Sequence, residues 1–322
     1  MTGLLGPADW RAQRTFSAGA FTVAGLADAR RDTVTVILPA RDVAQTVGHI
    51  IACVDGLRRR GLVDEILLVD ANSADATAQV ARSQGATVLQ ENELMPEFGP
   101  ARGKGDAMWR GLSAASGDIV VYVDADTQGF SETFVVGLLG PLLTTPQLAL
   151  VKGAFQRPFR LGDRVIAGEG GRVTELVARP LLNLYAPQLA GFDQPLAGEL
   201  AARRWLLERL AFPVGYGVEM ATLIDAERQV GLEGLAQCDL GERQNRHQPL
   251  RELSAMAYAV MAAAGSRLHG PQLLSDRVSG TLTLPPPPGI AGMEARQVAL
   301  EERPPLCTLA QAGTAAGVRL AR

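Results

Sequence analysis

The chain has 322 residues, 20% of them charged, with a formal net charge of −3; that length holds one large α/β domain or a domain plus a smaller attachment. Near-balanced charge excludes the strongly basic footprint of a nucleic-acid binder, and no stretch has the uninterrupted apolar length of a membrane span. Three widely spaced cysteines, Cys53, Cys238 and Cys307, make no metal or redox motif and fit a reduced, cytoplasmic protein.

Residues 1–31 are rich in Gly and Ala with little periodicity and read as an N-terminal arm with a short helix. Asp9 and Arg11 interrupt its start, so no signal peptide is expected there. Thr33-Val34-Thr35-Val36-Ile37-Leu38 is a β-branched run ended by Pro39, hence a buried strand. Asp42 precedes a helix whose apolar positions Val43, Val47, Ile50, Ile51, Val54 and Leu57 keep helical spacing, with His49 on the solvated side. Arg58, Arg59 and Arg60 complement the dipole at its C-terminal end. A second strand, Glu65 to Val69, ends in Asp70-Ala71-Asn72-Ser73. Asp75 caps a helix running to about Ser83, and Thr87-Val88-Leu89 is a third strand. Residues 91–103 are irregular. Lys104 to Ala115 is helical, with Trp109 in the core, and Ile119 to Val123 is the fourth strand.

This alternation predicts an α/β fold with a parallel, doubly wound sheet, in which ligands sit outside the carboxyl ends of the strands. Those ends carry Pro39-Ala40-Arg41, Asp70-Ala71-Asn72-Ser73 and Asp124-Ala125-Asp126, which should converge on one crevice. In the acidic tripeptide, two carboxylates at i and i+2 share one face where a buried strand reaches solvent. As a bare pattern, Asp-x-Asp marks solvated loops. After so apolar a strand it suits a hard divalent cation that already carries phosphate oxygens, and so a metal-bound nucleotide diphosphate.

The second half is less regular. Leu148 to Val151 reads as a strand followed by Lys152, and Gly168-Glu169-Gly170-Gly171 leads into a helix beginning near Arg172 or Val173. A helix from Val218 to Val230 follows Gly215-Tyr216-Gly217; then come a strand from Leu235 to Leu240 and a helix from Leu250 to Ala264. Beyond Arg267 the composition shifts through Pro285 to Pro288 into Ala- and Gly-rich segments. The expectation for 269–322 is a tail that packs along the body or at a dimer interface and is partly disordered.

Leu38-Pro39-Ala40, Val69-Asp70-Ala71-Asn72-Ser73, Ser116-Gly117-Asp118, Gly103-Lys104-Gly105 and the acidic tripeptide together resemble the GT-A glycosyltransferases. Further along, Gly170-Gly171-Arg172-Val173-Thr174-Glu175-Leu176, Pro213-Val214-Gly215-Tyr216-Gly217-Val218-Glu219 and Arg303-Pro304-Pro305 look like the glucosyl-3-phosphoglycerate synthase family. The resemblance runs from about Thr33 to His247. It implies a GT-A fold, Rossmann-like, whose nucleotide-sugar half spans 32–145 and whose acceptor half spans 146–268. It also implies a metal-dependent, retaining transfer of glucose from UDP-glucose to the 2-hydroxyl of 3-phosphoglycerate, in a homodimer.

On matching residues, the family pattern gives Pro39, Ala40, Arg41, Asp42 and Ser73 to the uridine side. Lys104, Asp124, Ala125, Tyr216 and Glu219 would complete the nucleotide-sugar site, with Lys104, Asp126 and Glu219 nearest the chemistry. Asp126 would bind Mg²⁺ or Mn²⁺. Gly171, Arg172, Thr174 and His247 would hold the acceptor; a Gly-Gly turn opening a helix offers free N–H groups to an anion, and Arg adds a fork. Read alone, Arg172 is a solvated helix residue and Glu219 a helix-start carboxylate favoured by the dipole.

The chain departs from the pattern at three places. Val43 stands where the family has an acidic residue, and Ala197 stands where Ser is usual. In Gln244-Asn245-Arg246-His247 the usual metal-binding His and acceptor-binding Asn are exchanged, so either Asn245 or His247 would complete the metal site. Asn is a neutral oxygen ligand suited to Mg²⁺ rather than to softer ions. These departures keep two alternatives open: the same scaffold with GDP-mannose, another donor or another anionic acceptor (as in secondary metabolism), and a catalytically weak nucleotide-sugar-binding protein.

Overall fold

The computed structural model describes residues 6–157, 159–161, 164–166, 171–243, 249–268, 280–284 and 294–309. One eight-stranded sheet runs through both halves of the chain. Its strands are β1 (Thr15–Ser17), β2 (Val34–Ala40), β3 (Glu65–Asp70), β4 (Thr87–Gln90), β5 (Ile119–Tyr122) and β6 (Leu150–Gln156), with two later members. Between these come the short antiparallel pair β7 (Phe159–Leu161) and β8 (Arg164–Ile166), then β9 (Leu200–Arg203), β10 (Phe212–Pro213) and β11 (Leu235–Glu242). The sheet order is β1-β11-β6-β9-β5-β2-β3-β4. Neighbours are parallel except at β9, which runs antiparallel to both β5 and β6. The mostly parallel sheet expected from the sequence is therefore present.

The helices are α1 (Pro7–Arg14), α2 (Val23–Ala29), α3 (Ala44–Arg59), α4 (Thr77–Ser83), α5 (Lys104–Ala114), α6 (Glu132–Thr144), α7 (172–185), α8 (Arg204–Leu207), α9 (Val218–Val230) and α10 (Leu250–Gly265). They cover both faces of the sheet, dividing the interior into two apolar clusters. On one face Val47, Ile50, Ile51, Val54 and Leu57 of α3 pack against Val36, Leu38 and Val121. On the other, Met108, Trp109 and Leu112 of α5 meet Ile37, Val69 and Tyr122. Burial on both faces is why these strands read as continuous apolar runs rather than alternating ones.

Several expectations need correction. Residues 6–31, read as an arm, contribute edge strand β1 and two helices; Trp10 is fully buried and donates Nε1–H to the Leu232 carbonyl. Strand β2 continues through Pro39 to Ala40, with Pro39 opposite Val69. Lys152 lies inside β6 rather than after it and is fully buried. Helix α6 and strand β9 carried no period that marked them: α6 buries nearly every position from Phe134 to Leu142, so no polar face interrupts its run. Ser116-Gly117-Asp118 lies at the start of β5, away from the strand ends. There it ties strands together, Asp118 accepting from the Thr33 amide and hydroxyl and Gly117 donating to Thr35. Where described, the tail packs on the body: β12 (Thr281–Leu284) pairs with β13 (Glu294–Gln297), and β14 (Glu302–Arg303) pairs with β10.

Candidate functional site

A cleft of about 760 Å³ opens at the carboxyl ends of the strands. Of the residues singled out from sequence, Pro39, Ala40, Arg41, Lys104, Asp124, Ala125, Asp126, Gly171, Arg172, Thr174, Tyr216 and Glu219 all line it. Asp42 and Ser73 are not among its lining residues, although their neighbours Arg41, Val43 and Ala71 are. The Asp42 amide donates to Ser73 Oγ, and the Asp42 carboxylate accepts from the Ala74 amide, pinning the two loops together. Asn245 and His247 lie outside the described residues.

The centre of the cleft is an ion network. Lys104, at the start of α5, reaches Asp124 at 2.6 Å and Glu219 at 2.8 Å. Arg243, at the end of β11, reaches Asp124 at 2.7 Å and Glu199 at 2.6 Å. Burial alone would lower Lys104, but Asp124 and Glu219 outweigh it and hold the ammonium above its ordinary pKa. Burial would likewise raise Asp124, yet Lys104 and Arg243 hold it well below the usual carboxylate range. Burial raises Glu199, which Arg243 offsets only in part. Behind this layer Lys152 donates to the Ala197 carbonyl, and burial pushes it down to about 8.

The two acidic side chains of the tripeptide therefore differ. Asp124 is saturated by two cations. Asp126 is 57% exposed and, among the described residues, meets a charged partner only at 3.9 Å, Arg243. Among the described residues no three His, Cys, Asp or Glu side chains converge to form a cation cage. Asp126 fits the other kind of site, in which a hard cation takes one protein carboxylate and gets most of its oxygens from phosphate and water.

The helix α7 meets the cleft at its N-terminus. Gly171 sits at φ +75°, a left-handed conformation open to glycine, and turns the chain into the helix. Thr174 is buried, and Thr174–Ala178 is wound as a π-helix, a feature frequent at functional sites. Arg157 lines the same wall over the Phe155 ring. Glu199, Arg243, Lys152 and Arg157 were not singled out from sequence. The available signal was a charge inside an apolar run, as in Leu150-Val151-Lys152-Gly153-Ala154, because such a charge is tolerated only with a buried partner.

Residues 35–149 match the model of glycosyl transferase family 2. Glucosyl-3-phosphoglycerate synthase of Mycolicibacterium smegmatis is 40% identical over 301 residues, 93% of this chain and 98% of the relative. The crystal structure of mannosyl-3-phosphoglycerate synthase from Rubrobacter xylanophilus superposes with a TM-score of 0.86 at 45% identity, covering 94% of this chain and 99% of that one. Glucosyl-3-phosphoglycerate synthase from Mycobacterium tuberculosis, in complex with Mn²⁺, UDP-glucose and phosphoglyceric acid, gives a TM-score of 0.79 at 40% identity over 90% and 95% of the two chains. With its GT-A type sheet, its cleft at the strand ends and these relatives, the chain belongs to the glucosyl-3-phosphoglycerate synthase family of glycosyltransferases.

Proposed function

We propose that this chain transfers glucose from UDP-glucose to the 2-hydroxyl of 3-phosphoglycerate with retention of anomeric configuration. The observation that carries the proposal is the single cleft holding Lys104, Asp124, Asp126 and Glu219 together with the Gly171-Arg172-Thr174 turn. The first group suits a nucleotide diphosphate and its sugar, the second an anionic acceptor. Asp126 would hold Mg²⁺ or Mn²⁺, with Asn245 or His247 as the co-ligand. When bound, such a cation neutralises charge on the departing diphosphate. Lys104, kept protonated by its two carboxylates, adds fixed positive charge beside it.

Asp124 and Glu219 are both committed to Lys104, so neither is presented as a free nucleophile. Transfer then needs no enzyme-bound sugar. The bond from C1 to the diphosphate oxygen breaks, the acceptor oxygen bonds to C1 from the same face, and the hydroxyl proton passes to the leaving phosphate. Functionally, 32–145 serves the donor and 146–268 the acceptor, with Tyr216 and Glu219 of the second half reaching back to the donor sugar.

The 45% identity to a mannosyl-3-phosphoglycerate synthase supports a second reading in which the donor is GDP-mannose. A donor-by-acceptor screen with Mg²⁺ and Mn²⁺ separates the two. UDP-glucose with 3-phosphoglycerate is expected to give the highest kcat/KM, and turnover only with GDP-mannose would overturn the first reading.

The same proposal extends to a cytoplasmic homodimer. It is supported by three free thiols and by apolar side chains left in solvent on α7 and α10, with Leu176 and Leu184 each 72% exposed and Leu250 66% exposed. Light scattering should return the mass of two chains, and a monomer at micromolar concentration would refute it. No helix among the described residues is long and apolar enough to cross a membrane.

A further inference from the structure

Glu91, just past the end of β4, is 3% exposed and lines the cleft beside Asn92. Its Oε1 is buried without a hydrogen-bond partner. A buried acid oxygen left unpaired is unfavourable, so its persistence in a cleft points to a ligand that completes it.

The charged neighbours of Glu91 are committed elsewhere. Arg110 gives Nε–H to Asp106 and its remaining N–H groups to the carbonyls of Glu91, Leu94, Met95 and Gly99. Asp106 also takes Arg303 and the Arg102 amide. Asp70, on the adjacent strand, accepts from Ser73 and from Gln90. Arg41 extends into solvent with 77% exposure.

Position supplies the ligand's chemistry. In the sheet, β4 lies three strands from β5, which is followed by the acidic tripeptide, a span of about 14 Å. The anion-binding turn lies on the other side of β5, where Gly171 approaches Arg157 at the end of β6. A nucleotide whose diphosphate is at Asp126 therefore extends its ribose and base along β2 and β3 toward Glu91.

We propose that Glu91 reads the base of the nucleotide donor, its carboxyl pairing with the imide edge of uracil. The carbonyl oxygen accepts N3–H while the acid O–H donates to O4. This inference rests on the donor assigned above. Burial raises Glu91 to about 7, with Asp106 and Asp70 adding to the rise and Arg110 and Arg41 opposing it. A protonated acid is thus populated at neutral pH, and an apolar site that keeps a carboxylic acid neutral can use it as a hydrogen-bond donor. Once ionised, the group offers two acceptors and no donor. It then repels O4 and suits the N1–H and N2–H₂ groups of guanine instead.

The test is to titrate the full chain, wild type, Glu91→Gln and Glu91→Ala, with UDP and with GDP at fixed Mg²⁺ across neutral pH, and to measure UDP-glucose turnover alongside. Wild type is expected to bind UDP about tenfold more tightly at about pH 6 than at about pH 8.5. Glu91→Gln, which keeps one donor and one acceptor, should bind UDP tightly without that pH dependence, and Glu91→Ala should lose about tenfold at low pH. If Glu91→Gln retains the wild-type pH dependence, or Glu91→Ala binds UDP as wild type does, Glu91 does not read the base. A wild type that binds UDP with the expected pH dependence but transfers no glucose overturns the assigned reaction and leaves the base contact standing. Glucose transfer by all three chains with identical pH profiles does the reverse.

Discussion

Replacing Asp126 by Ala should lower kcat/KM by about a thousandfold or more, a loss of on the order of 4 kcal/mol of transition-state stabilisation. The protein should still fold. Asp126 is 57% exposed, and among the described residues its charged contact is the 3.9 Å approach of Arg243. Substitutions of this kind usually change stability by less than about 0.5 kcal/mol. The check is paired: steady-state turnover at saturating Mg²⁺, and a thermal melt of the same sample. Turnover within about tenfold of wild type would remove Asp126 from the metal site. Asp124→Ala does not give the same information. That carboxylate is held by both Lys104 and Arg243, so its loss leaves two cations facing each other.

Replacing Arg243 by Met should destabilise the fold by about 3–5 kcal/mol, because one half of a buried ion pair is lost while the other stays. Arg243 is 1% exposed and its partner Glu199 is fully buried. Glu199 must then either remain charged without a counterion or take up a proton. Chemical denaturation should show an earlier midpoint at unchanged slope. The double variant Glu199→Gln/Arg243→Met should recover part of the loss, since the amide needs no counter-charge. An unchanged midpoint in the single variant would show that the network around Asp124 contributes little to the fold. Activity should fall in both variants, because Arg243 also orients Asp124 from β11.

The first half of the fold was legible in the sequence because its strands are short β-branched runs separated by helices with a clear apolar stripe. Residues at strand ends were legible too. Pro39-Ala40-Arg41 and Asp124-Ala125-Asp126 stand at breaks in hydrophobicity, and the topology of a parallel sheet brings such breaks together. The chain beyond β5 was less legible because its elements do not alternate in hydrophobicity. Helix α6 is buried on most sides, and β9 is a four-residue strand inserted between β5 and β6. The packing of the N-terminal segment was not legible because its anchor is a long-range contact, Trp10 to Leu232, that no local pattern announces.

By itself the sequence determined the doubly wound sheet, the crevice at its carboxyl edge and the residue types available there for a cation, a diphosphate and an acid acceptor. Tertiary structure decided which charges are free to act. Asp124 and Asp126 look equivalent in a tripeptide, yet one is bound by Lys104 and Arg243 while the other faces the cleft. Glu91 looks like a loop carboxylate until the packing of α5 and β4 buries it and commits its neighbours elsewhere. The physical reason is that periodicity reports which face of an element is apolar, whereas desolvation and ion pairing depend on residues from distant elements meeting in three dimensions.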